Sequence, residues 1–150
     1  MDYYKLIIAT FIITGLWDVM LRFISLNNDK IPMILPDFIV DLKPYFQHHT
    51  LLSAALIAGF VGATTQPIII YFMNFPTKTS NTNYIFKFMI LSFIISALYG
   101  FIMKGSKLFP HLDKHYYEKL GTIRSMYHDG ISGLIVQFTL LFLLCIFSKN

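Results

Sequence analysis

Four apolar blocks, each about as long as a bilayer is thick, constrain this 150-residue chain more than any other feature. A hydrocarbon core of about 30 Å takes roughly 20 residues of α-helix to cross. The blocks cover about 6–24, 50–73, 84–103 and 127–147. None alternates apolar and polar residues with period 2, which argues against the strands of a membrane β-barrel. A soluble four-helix bundle needs a polar stripe on every helix, and here the apolar faces run nearly all the way round. Charged residues make up 13% of the chain, about half the share in an average soluble domain, so little polar surface is on offer to water. The expected fold is all-α, a four-span transmembrane helical bundle forming a single transmembrane domain over 1–150. No internal repeat is expected.

The connections differ in character. Residues 25–49 carry Pro32, Pro36 and Pro44 among scattered Ile, Leu and Phe. Proline at that density excludes a long regular helix, and the apolar residues suit a short amphipathic segment in the headgroup region between spans 1 and 2, around 36–46. Residues 74–83 read as a polar turn. Residues 104–126 are the most basic stretch, with a surface helix expected over about 112–120. The formal charge of +4 is spread between apolar blocks, where Lys and Arg set membrane orientation and do not form a nucleic-acid patch. The two longer connections, 25–49 and 104–126, hold most of that charge. They are therefore expected in the cytosol, with both termini on the opposite side. The first block runs into Asp18 and Arg22 without a small-residue cleavage site, so a cleaved signal peptide is not expected.

Small residues mark helix contacts, because lipid supplies no hydrophobic drive for association. Ser92, Ser96 and Gly100 recur every fourth residue, as do Ala55, Gly59 and Ala63, with Ala58, Gly62 and Gln66 on the adjoining face. Gly130 and Gly133 open the fourth block. Pro67 interrupts the second block, where Thr64 or Gln66 is expected to satisfy the freed backbone groups.

Polar side chains inside the blocks are the candidate site: Asp18, Arg22, Gln66, His128, Asp129 and Gln137. Thr10, Thr14, Asp18 and Arg22 form one stripe, and Asp18 with Arg22 has the i,i+4 spacing of a helix ion pair. Such a pair marks an ion or substrate path, or it neutralises itself near the interface, where Arg22 can snorkel. The second reading is the plainer one. Asp129 shares a face with Gly133 and Gln137, and Gln137 needs a partner on another helix, Gln66 or Thr14.

His48, His49, His111 and His115 fall at the interface on the side of the longer connections. One HxxxH and one HH pair are too few ligands for a metal centre, so neither metal nor cofactor is expected. No GxSxG, HExxH, P-loop or dinucleotide fingerprint occurs. Cys145 has no basic neighbour before Lys149 to activate it.

The segments GLWDVMLRFIS (15–25), LKPYFQHHTLLSAALIAGFVGATTQ (42–66) and YHDGISGLIVQ (127–137) resemble parts of small multi-span membrane proteins of large nucleocytoplasmic DNA viruses. The resemblance implies a place in a viral internal membrane, with capsid or membrane-remodelling partners. It assigns no active residue.

Three functions follow as expectations. The first is a structural or assembly component of a membrane, a multi-pass protein without catalysis, in contact with the lipid bilayer and with copies of itself or viral capsid and membrane proteins. It predicts a dry, tightly packed bundle. The second is an oligomeric channel or transporter using the intramembrane Asp, Arg and Gln residues, which predicts a wet cavity. With no repeat and only four spans, a transporter is disfavoured, because transporter folds are commonly built from internal repeats. The third is a lipid-modifying enzyme with His and Asp gathered at headgroup level.

Overall fold

The computed structural model describes residues 3–27, 50–73, 82–102 and 121–147. These form four helices: α1 (Tyr3–Leu26), α2 (Leu51–Met73), α3 (Thr82–Gly100) and α4 (Thr122–Phe147). All four are long and apolar enough to cross a membrane. The architecture is the expected all-α bundle, with no strand among the described residues. The interfacial segment around 36–46, the surface helix around 112–120, and His48, His49, His111 and His115 lie outside the described residues.

Helix limits follow from capping. Thr50 starts α2: its carbonyl accepts the Ala54 N–H at 3.0 Å and its hydroxyl accepts the Ser53 N–H at 3.3 Å, as an N-cap residue does. α4 begins five residues before the apolar block at 127. Gly121, at φ 81°, starts it and accepts the Ser125 N–H at 3.0 Å. Hydropathy places the start of the block too late because Arg124 and Ser125 belong to the helix. α2 runs through Pro67, but neither residue proposed to compensate the proline does so. The Thr64 hydroxyl donates to the carbonyls of Phe60 and Val61, and Gln66 is engaged with Gln137.

The outer surface is apolar. Ile8, Ile12 and Leu16 on α1 are 59%, 51% and 64% exposed. Ile90, Ile94 and Leu98 do the same on α3. No more than 28% of any apolar window is buried within the bundle. Water cannot solvate such a surface favourably, whereas lipid can, so this is a multi-span membrane protein.

α1 packs closely on α2, and α3 on α4; looser contacts join α1 to α4 and α2 to α3. Both close pairs are antiparallel, with Gly15 over Ala55 and Phe11 over Gly59 in one, and Gly100 over Asp129 and Ser96 over Gly133 in the other. The helices therefore form a ring in chain order. A two-fold rotation about the bundle axis exchanges α1 with α3 and α2 with α4.

That rotation is written in the sequence, which corrects the expectation of no repeat. Shifted by 82 positions, residues 5–22 match 87–104 with six identities in eighteen, among them FII at 11–13 and 93–95. Most of the rest are close in kind, such as Thr10 with Ser92, Thr14 with Ser96 and Trp17 with Tyr99. Shifted by 71 positions, GxxGxxxQ at 59–66 matches 130–137, and the two N-cap residues Thr50 and Gly121 coincide. Burial follows the same register. Leu6 and Phe88, Thr10 and Ser92, Ile69 and Leu140, and Gln66 and Gln137 are all buried. Contacts follow it too: a Cβ at Gly59 would meet Phe11 as one at Gly130 would meet Phe93, and one at Gly62 would overlap Thr14 as one at Gly133 would overlap Ser96. Each half is thus an antiparallel pair whose second helix presents two glycines to a Phe-x-x-Thr/Ser ridge on the first. Both halves start on the same face of the membrane, so the axis lies along the membrane normal.

Candidate functional site

A cavity of about 90 Å³ lies between the two halves, with residues from all four helices in its wall. Most of that wall comes in repeat-related pairs, including Thr14 with Ser96, Asp18 with Gly100, and Ala58 with Asp129. One water takes up about 10–15 Å³ on this measure, so several waters or one small solute fit.

The cavity is one-sided. On α1 it extends from Thr10 to Leu21, about 16 Å of helix rise, towards the end that leads into the longer connections. Beyond Thr10 an apolar cluster that includes Leu6, Ile69, Phe88 and Leu140 closes the bundle. At the boundary Gln137 Nε2 donates to Gln66 Oε1 at 2.6 Å. The two residues are 2% and 0% exposed, and each is the sixteenth of its helix. Gln66 is one of the two partners the sequence offered for Gln137.

Arg22 Nε donates to Asp18 Oδ2 at 2.6 Å, the pair expected from the i,i+4 spacing. Arg22 does not snorkel, however. It is 1% exposed and among the largest fully buried side chains, because its stripe faces the bundle and not the lipid. Asp18 lines the cavity. So does Asp129, whose carboxylate occupies the space that a side chain at position 100 would need. Each half therefore contributes one carboxylate, but from opposite helices of the pair: Asp18 from α1 and Asp129 from α4. Their repeat counterparts are the small residues Gly100 and Ala58.

The hydroxyls turn their protons away. Thr10 donates to the Leu6 carbonyl at 2.8 Å, Thr14 to the Thr10 carbonyl at 2.7 Å, and Thr65 to the Val61 carbonyl at 2.6 Å. Their oxygens are left as acceptors. Gln137 donates one amide N–H to Gln66, and its Oε1 has no hydrogen-bond partner among the described residues. Trp17 also lines the cavity, and its buried Nε1 has no such partner either.

Of the six candidates, Asp18, Asp129 and Gln137 line the cavity. Arg22 and Gln66 stand directly behind them. His128 is buried and packs edge-on against Tyr127, outside the wall. Thr14, Trp17, Ser96 and Ser132 complete the site and were not singled out as site residues; the 82-position register is the signal that pairs Thr14 with Ser96. No group of three His, Cys, Asp or Glu suited to a metal occurs among the described residues. No family model, curated protein or solved structure matches the chain.

Proposed function

We infer that this protein is a small carrier, binding a polar solute between its two halves and exposing it in turn to each side of the membrane. The observation that carries the reading is the coincidence of cavity and repeat interface. Transporters are commonly built from repeats, with the substrate near mid-membrane where the repeats meet, and repeats related by an axis along the membrane normal are one such arrangement. The argument against a transporter in so short a chain was the lack of a repeat, and the repeat removes it. An apolar seal on one side, with the cavity and its two carboxylates on the other, suits one state of an alternating cycle better than a static pore. A dry scaffold accounts for the seal but gives no reason to line a cavity with two carboxylates, at the cost that intramembrane charge carries.

The test is two-sided access. Ser132→Cys in a Cys145→Ala background places a thiol in the cavity wall. In oriented proteoliposomes a membrane-impermeant thiol reagent should label it quickly from the side of the longer connections and more slowly, but completely, from the other. Labelling from neither side returns the protein to a scaffold. Labelling from one side only, under all conditions, makes the cavity a pocket and not a transport site.

A further inference from the structure

We propose that Pro67 is the hinge on which the sealed side of the carrier opens, with the last stretch of α2, Ile68–Met73, swinging as a lever that draws Ile69 out of the apolar cluster. The proposal rests on the carrier reading and names its moving part. A run of departures from the repeat carries it, in one turn of α2 at the border between cavity and seal.

α2 and α4 are equivalent helices, and Gln66 and Gln137 mark the same level in both. At that level their backbones differ. Proline has no N–H, so the Ala63 carbonyl lacks the helix donor that residue 67 would otherwise give it, and the ring crowds that carbonyl. Phe138 stands in the same place on α4 and keeps its N–H. In the turn before the proline, Thr64 donates its hydroxyl to the carbonyls of Phe60 and Val61, and Thr65 donates to Val61 as well. Such donation to a carbonyl one turn back weakens and bends a helix. The counterparts Ile135 and Val136 have no hydroxyl. α4 has a single bond of this kind in the stretch, from Thr139 to the Ile135 carbonyl at 2.9 Å. Three residues within four positions loosen α2 here, against one in α4.

Packing does not explain the proline. Pro67 and Phe138 are both exposed on the outer surface, so the ring fills no space inside the bundle. The glycine contacts that hold α2 on α1, at Gly59 and Gly62 and at Ala55 under Gly15, all lie before Pro67. They fix the near part of the helix. Beyond the proline, Ile69 belongs to the apolar cluster and Ile68 and Ile70 pack against it, while Tyr71 and Phe72 face outward. Contact between α2 and α3 is loose, so the far stretch can part from α3 without breaking a close pair. Hinges of this kind are a few residues that absorb a backbone change for the element beyond them.

Two measurements on the full-length protein test the hinge. Hydrogen–deuterium exchange in detergent micelles reads the backbone. Pro67→Ala restores the missing donor and should slow exchange of the amides at 68–71 by about tenfold, the weight of one helix hydrogen bond. Those at 139–142 of α4 should not change. Thr64→Ile, which keeps the proline and copies α4, should slow the same α2 amides by less, and Thr139→Val should leave them as they were. Equal slowing in both helices, or none, overturns the hinge. Labelling reads the motion. In proteoliposomes of the Cys145→Ala, Ser132→Cys protein, adding Pro67→Ala should cut the labelling rate from the sealed side by about tenfold and keep the rate from the side of the longer connections within about twofold. A general gain in stability would slow both. Two-sided labelling that Pro67→Ala leaves unaltered keeps the carrier and removes this hinge. One-sided labelling with Pro67 in place removes the carrier and its gate together.

Discussion

Gln66 and Gln137 occupy the same position in the two halves of the chain, and one 2.6 Å hydrogen bond joins them across the bundle centre. A residue on a two-fold axis meets its own counterpart. Two identical carboxamides can do this because each carries both a donor and an acceptor, whereas paired carboxylates or ammoniums would repel. The bond also marks a border. Above it lies the cavity that Asp18 and Asp129 line; below it Leu6, Ile69, Phe88 and Leu140 meet.

Because the bond lies away from water, Gln66→Leu and Gln137→Leu should each cost about 1–2 kcal/mol, the single variants leaving one amide buried beside a methyl group. The double variant should cost less than the sum. A coupling of about 0.6–1.7 kcal/mol is expected from interhelical bonds in other membrane bundles, measured by reversible unfolding in mixed micelles. Strict additivity would show that the bond contributes nothing.

The Asp18–Arg22 pair should behave in the same asymmetric way on a larger scale. Arg22 is 1% exposed, while the Asp18 side chain keeps 21% of its surface. Arg22→Met leaves a carboxylate deprived of its guanidinium in a poorly solvated wall and should cost about 3 kcal/mol. Asp18→Asn added to Arg22→Met should recover most of that loss in the same unfolding assay. Failure of the second change to recover stability would mean that Arg22 acts through its packing alone.

Equivalent glycines should fail equivalently. Gly62→Val drives a side chain into Thr14, and Gly133→Val drives one into Ser96. Both force a close helix pair apart, and both should lower the yield of folded protein in detergent to a similar degree. Gly121→Ala meets no neighbour within 4 Å. Its cost should be only about 1 kcal/mol, the strain of holding alanine at φ 81°. A large loss at Gly62 with none at Gly133 would deny the two halves a common packing.

The spans were legible because length and apolarity are local properties, readable in one window of sequence. Their limits were less so: Arg124 and Ser125 lower the hydropathy of a turn that the Gly121 cap nonetheless makes helical. The repeat escaped because the two helices of each half recur at different intervals, 82 and 71 positions. Equivalent positions on the two helices are therefore 11 residues closer in the second half (82 less 71), so a search for one fixed period finds neither. The identities between α1 and α3 are also mostly Phe and Ile, the residues any span contains, and only the paired glycines and Gln of α2 and α4 stand out. The cavity was harder still. Asp18 and Asp129 hold unrelated repeat positions, and nothing in the sequence shows that a carboxylate on α1 and one on α4 face a common space until the ring order of the helices is known. Gln66 with Gln137 was within reach, since two mid-span amides in lipid have few partners other than each other.

Trp17, the only tryptophan in the chain, gives a last test that needs no added probe. It lines the cavity, so its emission should be quenched strongly by aqueous acrylamide and only weakly by lipids brominated along their acyl chains. Moving the fluorophore to the lipid face, with Trp17→Phe and Leu98→Trp together, should reverse that order. Leu98 is 50% exposed on the apolar surface of α3, at the counterpart of Leu16 on α1. The comparison separates a wet interior from a dry one, because a tryptophan closed in a dry bundle is reached by neither quencher. Strong quenching by brominated lipid at Trp17 would place the stripe of Thr14, Asp18 and Arg22 against the bilayer, and the cavity would lose its role as a solute site.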